Sequence, residues 1–592
     1  MPAVEEYTRR LENREQSVAG NEAIHIRLGN ARLLLTCIAA VIAWESFRHH
    51  ALSPWWLIVP AVVFVLIAAY HSRILRAREL ARRAASFYRS GLARIEDRWA
   101  GCGQTGERFA DPHHVYAADL DLFGRGGLFE LLSTARIRMG EETLAKWLLS
   151  PSPVERIEER HAAVRELRDE LDLREDLAVL GEDSRVGVYS EALLQWAESP
   201  CRMKPEWLQV MAPVLAIAMA AAAVVWWTAE TALPFLLIII AEGIISFRLR
   251  HAMEEVLHRS DQAFRDLDLL SGALARIEQR NFQTLRLQAL VRELRSNAIT
   301  SSRAIARLGT IVQFSDSRDN VLIRVLNVPF LYSVQVAFAA ERWKRAHGHA
   351  VRSWLQVVGE IEALLSLATY SYEHPDDPFP EFIEGEACLE ADDMGHPLVP
   401  AGACVRNTIH LADGTHVLLV SGSNMSGKST LLRTAGINVV LAMAGAPVRA
   451  RRLRMTPLQV GASIRVNDSL QDGSSRFYAE ITRIRKIIDL ADAKPPLLFL
   501  MDELLQGTNS NDRLIGAAGV VQALLKRGAI GLVSTHDLAL VAIGNSLDGQ
   551  LHNVHFQEQF EDGTMHFDYT LREGVVKKSN GLALMRSIGL DV

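Results

Sequence analysis

Hydrophobic and polar positions along this chain fall into three textures, and the first is unbroken apolar runs. Ala51 to Tyr70 holds twenty residues without a charge, with Trp55 and Trp56 near its start. As a helix rising about 1.5 Å per residue it would span roughly 30 Å, the thickness of a bilayer core. Trp207 to Ala229 is a second uncharged run, 23 residues long, with Trp207 at one end and Trp226-Trp227 at the other. Aromatic residues at both ends suit a membrane interface. Two weaker runs, Leu33 to Trp44 and Thr231 to Phe247, lie beside them. The pattern predicts two helical hairpins, at 33–70 and 207–247.

The second texture has helical spacing. Arg73 to Trp99 is basic and helix-prone and continues the run before it; a charge-rich helix is expected over Val154–Leu173. Leu267, Leu270, Leu274 and Ile277 keep spacings of three and four, the mark of a long amphipathic helix. The third texture begins after the proline-bearing segment His374–Pro380, which reads as a linker. Beyond it short β-branched runs alternate with helical stretches, an α/β pattern. The domains expected are therefore an N-terminal hairpin and basic helix (1–117), the first part of a helical core (118–204), a second hairpin (205–248), arm helices (249–373) and an α/β domain (374–592).

Charge refines this picture. Arg73, Arg76, Arg78, Arg82 and Arg83 follow the first hairpin and Arg248 and Arg250 the second, while the tight connections hold only Arg48. The positive-inside rule then places both termini and the α/β domain in the cytoplasm of a multi-pass cytoplasmic-membrane protein. Four buried helices of a soluble core are the alternative. With 64 Lys and Arg against 70 Asp and Glu, a net charge of −6 excludes a protein that coats nucleic acid by bulk charge. Cys37, Cys102, Cys201, Cys388 and Cys404 lie far apart without a Cys-x-x-Cys pair, so neither a disulfide framework nor a zinc site is expected.

Chemistry concentrates in the α/β region. The strand-like run His416–Val420 leads into Gly422-Ser423-Asn424-Met425-Ser426-Gly427-Lys428-Ser429-Thr430 and then a helical stretch, a phosphate loop in its strand–loop–helix context. Gly422 and Gly427 let the backbone curl so that N–H groups face phosphate oxygens at a helix start. Lys428 supplies the point charge for the β- and γ-phosphates, and the Ser429 hydroxyl suits Mg²⁺. The apolar strand Leu497–Met501 ends in Asp502-Glu503. Asp502 would hold Mg²⁺ through water, and Glu503 would polarise the attacking water. The strand Ala529–Val533 leads to His536, placed to sense the γ-phosphate. ATP with Mg²⁺ is the expected ligand and ATP hydrolysis the expected reaction.

These motifs resemble those of the MutS family of DNA mismatch repair ATPases. The loop Gly-Ser-Asn-Met-Ser-Gly-Lys-Ser-Thr carries the family's Asn-Met variant, and Asp502-Glu503 runs into Gln506-Gly507-Thr508-Asn509-Ser510 with Asp512 beyond. Asp468-Ser469-Leu470 through Gly473, Ser474, Ser475, Arg476 and Phe477 resembles the family's signature loop, and Glu480 also fits. His396-Pro397, Asn407 and the ending Lys578–Ala583 match its lead-in and close. Leu120–Pro151 resembles the start of its helical core and Glu362–Tyr370 its last lever helix. To the transmembrane hairpins read from the apolar runs, the resemblance adds an all-α core and lever and a C-terminal α/β phosphate-loop ATPase domain, so that a multidomain fold is expected. The resemblance also implies DNA, mismatched or branched, as partner, and a homodimer in which Gly473, Ser474 and Ser475 reach the nucleotide of the neighbouring subunit.

Several positions depart from the family. The first 117 residues leave no room for its mismatch-reading domain. Arg476 stands where a small hydroxyl residue is usual. The aromatic expected near Cys404 is replaced, with Tyr569 the alternative for stacking on adenine. Two other functions therefore stay open: a membrane-tethered nucleotide switch that acts as a scaffold without mismatch recognition, and the motor of a transporter.

Overall fold

The computed structural model describes residues 2–575 except 50–51, 181–189, 296–298, 317–326, 328, 424, 466–475, 507, 537–548 and 562–563. Its N-terminal two-thirds are helical and its C-terminal third is α/β.

Two long helices, α1 (Pro2–Phe47) and α2 (Ile58–Ile95), form the first hairpin, with a single 3₁₀ turn at Pro54–Leu57 leading into α2. The short helices α3 (Leu128–Leu132), α4 (Arg138–Leu149), α5 (Val154–Arg168), α6 (Leu171–Leu180) and α7 (Ser190–Glu198) follow. The second hairpin pairs α8 (Leu208–Ala229) with α9 (Leu233–Gln279). Then come α10 (Leu285–Leu294), α11 (Ser301–Asp316) and the 42-residue α12 (Tyr332–Glu373).

Among the described residues three helices are long and apolar enough to cross a membrane: α1, the helical stretch Pro54–Ile95, and α8. The fourth apolar run opens α9, but Glu242 lies inside it and Arg248 and Arg250 close behind, so it is not among the three. Apolar side chains along these helices face outward; Val65 is 65% exposed and Trp227 88%. The amphipathic stripe Leu267, Leu270, Leu274 and Ile277 is buried as its spacing predicts. However, α9 runs unbroken from apolar run to amphipathic arm, with no joint at 248.

Helix α12 is the spine. It packs on α4, α5, α7, α9, α10 and α11, with buried side chains recurring from Ser333 to Glu373 and unbroken from Ile361 to Ser371. The Glu362 carboxylate accepts the backbone N–H of Ile137 at 3.0 Å, which ties α12 to the start of α4. The proline-bearing segment after α12 is packed: Asp377 is buried and accepts a hydrogen bond from the Tyr370 hydroxyl at 3.2 Å.

The α/β region has two sheets. Strands β1 (Glu381–Phe382), β2 (Leu389–Met394), β3 (Asn407–Leu411) and β5 (Arg452–Met455) make the smaller, in the order β1-β5-β2-β3. The larger runs β10-β9-β4-β8-β7-β6, from β4 (Val417–Ser421), β6 (Gln459–Ser463), β7 (Leu497–Asp502), β8 (Ile530–Thr535), β9 (Leu551–Glu561) and β10 (Thr564–Glu573). All its pairings are parallel except β9 with β10. Continuous Val, Ile and Leu runs suit parallel strands covered on both faces, and β4 and β8 are buried throughout. Helices α13 (Lys428–Ala444), α14 (Arg476–Leu490) and α15 (Ser510–Leu525) complete the region. Gly531 is required by close approach, since a Cβ there would lie 2.3 Å from the Phe499 carbonyl oxygen.

Candidate functional site

Register brings the motifs together. Ser421 at the end of β4 pairs with Thr535 of β8, and Asp502 at the end of β7 pairs with Ser534. The loop after β4, the acids after β7 and the histidine after β8 therefore emerge side by side at one edge, where ligands bind in open parallel sheets.

The loop enters α13 through Gly427, whose φ of +107° lies in the left-handed region and turns the chain into the helix. The first-turn N–H groups of α13 have no partner within the helix. Lys428 is buried, and its ammonium donates to the carbonyl oxygens of Gly422 and Ser423, each at 2.8 Å. An ammonium has three protons; the group also lies 3.8 Å from Glu503 Oε1. Burial pushes the Lys428 amine down from its usual range, with Glu503 and Asp502 opposing. The Ser429 hydroxyl donates to Asp502 Oδ2 at 2.5 Å, and the Ser534 hydroxyl donates to Asp502 Oδ1. Glu503 has φ +49° and Leu505 +58°, so the chain after β7 turns through two left-handed non-glycine residues. That turn is held by the Ser534 hydroxyl, which accepts the Glu503 N–H at 3.1 Å, and by Glu480 of α14, which accepts the Leu505 N–H at 2.6 Å. His536 Nδ1 lies 3.4 Å from Glu503 Oε1, and the Gln506 amide donates to Glu503 Oε2.

A cleft of about 640 Å³ opens over this cluster. Ser423, Met425, Gly427, Lys428, Ser429, Thr430, Asp502 and Glu503 line its phosphate side; His396, Cys404, Asn407, Phe556 and Tyr569 are among those lining the other. The residues fit Mg²⁺–ATP on two observations. The Ser423 and Ser426 hydroxyls are buried without a hydrogen-bond partner among the described residues. A serine hydroxyl and a carboxylate side by side are also the hard oxygen donors that Mg²⁺ takes. Gly422 lies in the same cradle: a Cβ there would meet Ser426 Oγ at 2.7 Å. Asn424, Gly473, Ser474, Ser475 and the ending Lys578–Ala583 lie outside the described residues.

Residues beyond the motifs also shape the cleft. Asn407 donates to the Tyr569 carbonyl at 3.0 Å and accepts the Leu571 N–H at 2.7 Å, clamping β3 to a register shift in β10. This sets the half-exposed Tyr569 ring in the lining of the cleft. Asn509 caps α15 by accepting the Asp512 N–H at 2.9 Å, which accounts for both residues structurally. Asp119 and Asp121, not singled out above, join the helical region to this domain. Asp119 is fully buried, accepts the N–H groups of Ile464 and Arg465 at 2.8 and 2.7 Å, and pairs with Arg483 at 2.6 Å. Asp121 pairs with Arg465 at 2.5 Å and lies 3.8 Å from Arg433 of α13.

Comparison with known proteins agrees with this geometry. Residues 418–591 match the family model for MutS domain V. Endonuclease MutS2 of Thermus thermophilus is 34% identical over 203 residues, which are 33% of this chain and 25% of that protein. The DNA mismatch repair protein MSH3 of Phaeosphaeria nodorum is 32% identical over 247 residues, 40% of this chain and 22% of the relative. The DNA mismatch repair protein MutS of Shouchella clausii is 34% identical over 202 residues, 33% of this chain and 23% of the relative. The chain thus spans about a quarter of the length of these relatives. Residues 418–591, which supply the phosphate loop and both acids of the cleft, are similar to domain V of the MutS family.

Proposed function

We propose that this chain is a membrane-anchored, MutS-like ATPase that binds DNA and changes its hold on it with nucleotide state. The observation that carries the reading is the convergence of Lys428, Ser429, Asp502 and Glu503 in one cleft. Within it Lys428 and the loop N–H groups hold the phosphates of ATP, and Ser429 and Asp502 would hold Mg²⁺, which when bound would supply positive charge beside the phosphates. Glu503 orients and polarises the attacking water, and His536 beside it senses the γ-phosphate. The apolar helices anchor the chain in the cytoplasmic membrane with this domain in the cytoplasm. The relatives' names as DNA mismatch repair proteins support DNA, mismatched or branched, as the partner.

The chain works as a homodimer with two composite sites, each completed by Gly473, Ser474 and Ser475 of the neighbouring subunit. Detergent-solubilised protein tested with homoduplex, mismatched, branched and no DNA should hydrolyse ATP fastest with one of the DNAs. Turnover indifferent to every DNA would overturn the DNA reading and favour a membrane-tethered nucleotide switch.

A further inference from the structure

The first hairpin does more than end near the nucleotide domain: its cytoplasmic stem is built into the domain's supports. Three contacts make the connection. Near the end of α2, Arg94 makes a two-pronged pair with Glu373, the last residue of α12, at 2.7 and 2.6 Å, and Glu373 is almost completely buried. Tyr7 of α1, itself fully buried, donates to the same carboxylate at 3.3 Å, so both arms of the hairpin grip the end of the spine helix. There is no slack in this grip, because a Cβ on Gly91 would lie 2.5 Å from the Tyr7 ring.

Two residues past the end of α2, Asp97 accepts the backbone N–H of Ala401 at 3.0 Å. Ala401 sits in the segment between β2 and β3 whose His396, Val399, Ala403 and Cys404 line the nucleotide cleft. Just beyond Asp97 the chain is pinned: Trp99 enters the main core, and Glu130 accepts the N–H groups of Gly101 and Gly103 at 2.8 and 2.9 Å. The stem is thus held at both sides of its contact with the cleft wall. From Tyr70, the end of the apolar run, to Arg94 the helix covers roughly 36 Å at about 1.5 Å per residue.

We propose that Asp97, braced by the Arg94–Glu373 pair, is a positioning residue for the nucleotide site, so that the hairpin stem sets the cleft wall and ATP binding in turn tightens the stem. This rests on the reading of the cleft as an ATP site. Asp97 touches no nucleotide; it acts through the 396–405 segment. Any such coupling is reciprocal: if the stem changes ATP affinity, ATP changes the stem by the same factor.

The test uses the full chain in detergent micelles with Mg²⁺–ATP, comparing the parent with Asp97→Ala and with Arg94→Lys, which keeps the charge but loses the two-pronged geometry. Asp97 is exposed but has φ +56°, a left-handed conformation that alanine disfavours, so Asp97→Gly, which tolerates it and also lacks the carboxylate, is measured alongside and should show the same changes. Loss of a hydrogen bond to a carboxylate should raise KM for ATP about threefold to tenfold, with kcat changed less than about twofold. Hydrogen exchange should show ATP-dependent protection of residues 91–97 in the parent and its loss in Asp97→Ala. Unchanged KM and unchanged protection in Asp97→Ala, or a fall in melting temperature with neither, would overturn the proposal. A parent chain that does not bind ATP would instead overturn the nucleotide reading, and this inference with it.

Discussion

The cleft and the second hairpin bury charge in opposite ways. Lys428 is buried, yet its ammonium has two carbonyl partners and a carboxylate nearby. Glu242 in α9 is fully buried, and neither of its carboxyl oxygens has a hydrogen-bond partner among the described residues. The surfaces differ as well: the cleft lining presents hydroxyls, amides and acids, while the apolar helices present Trp227 and Val65. The protein itself compensates charge where chemistry is to be done. Along the apolar helices it does not: no partner for the Glu242 carboxyl lies among the described residues.

The sharpest break of this contrast is at Lys428. Lys428→Ala removes charge-assisted hydrogen bonds of about 1.5–3 kcal/mol each, so ATP affinity measured by calorimetry should fall on the order of 10²-fold or more. Affinity within a few-fold of the parent would mean that the cleft does not hold phosphates. In the hairpins the corresponding break is to add a charge. Val63→Lys or Ala220→Lys should disfavour insertion by about 2.5–3.5 kcal/mol, seen as protein lost from the carbonate-resistant membrane fraction. If the parent is itself soluble without detergent, the apolar helices are a buried core instead.

Glu242→Leu should work the other way. Replacing an unpartnered buried carboxyl with an apolar group should stabilise the protein by about 1–3 kcal/mol, read as a higher melting temperature in detergent. A lower one would show that Glu242 has a partner.

The smallest effect is a pH dependence. Burial, with the neighbouring Arg433 guanidinium adding to it, pushes the His396 imidazole down to about 4. Its Nδ1 accepts the Leu398 N–H at 3.2 Å, a bond that protonation of that nitrogen would remove. The unfolded chain takes up the proton near pH 6.5, so this contribution is whole above about pH 6.5 and is lost as the pH falls towards 4. Between pH 7.5 and 5.5 the parent should lose about 1 kcal/mol more stability than His396→Asn. Equal losses would show that His396 is not held neutral.

What was legible in the sequence is what local pattern encodes. The phosphate loop, Asp502-Glu503 and the buried strands stand out because each motif is contiguous and its neighbours have one hydrophobic period. The partners that hold those residues come from strand register and long-range packing. Ser534 meets Asp502 only because β7 and β8 pair in that register, and Asp119 meets Arg483 across more than 360 residues of chain. Neither leaves a pattern in sequence. The prolines of 374–380 mark irregular chain, but not the packing of that segment by Tyr370 and Phe379. The continuity of α9 was hidden by its change of composition, which alters what the helix faces but not its backbone.

The central claim is that Glu503 works on ATP held by Lys428, and single-turnover hydrolysis tests it most directly. With the full chain in detergent, Glu503→Gln should bind ATP as tightly as the parent and retain it uncleaved. Its turnover should be slower on the order of 10²-fold or more, the loss expected when a preorganised polar group is removed from the reacting centre. Hydrolysis by Glu503→Gln at the parental rate would contradict the account.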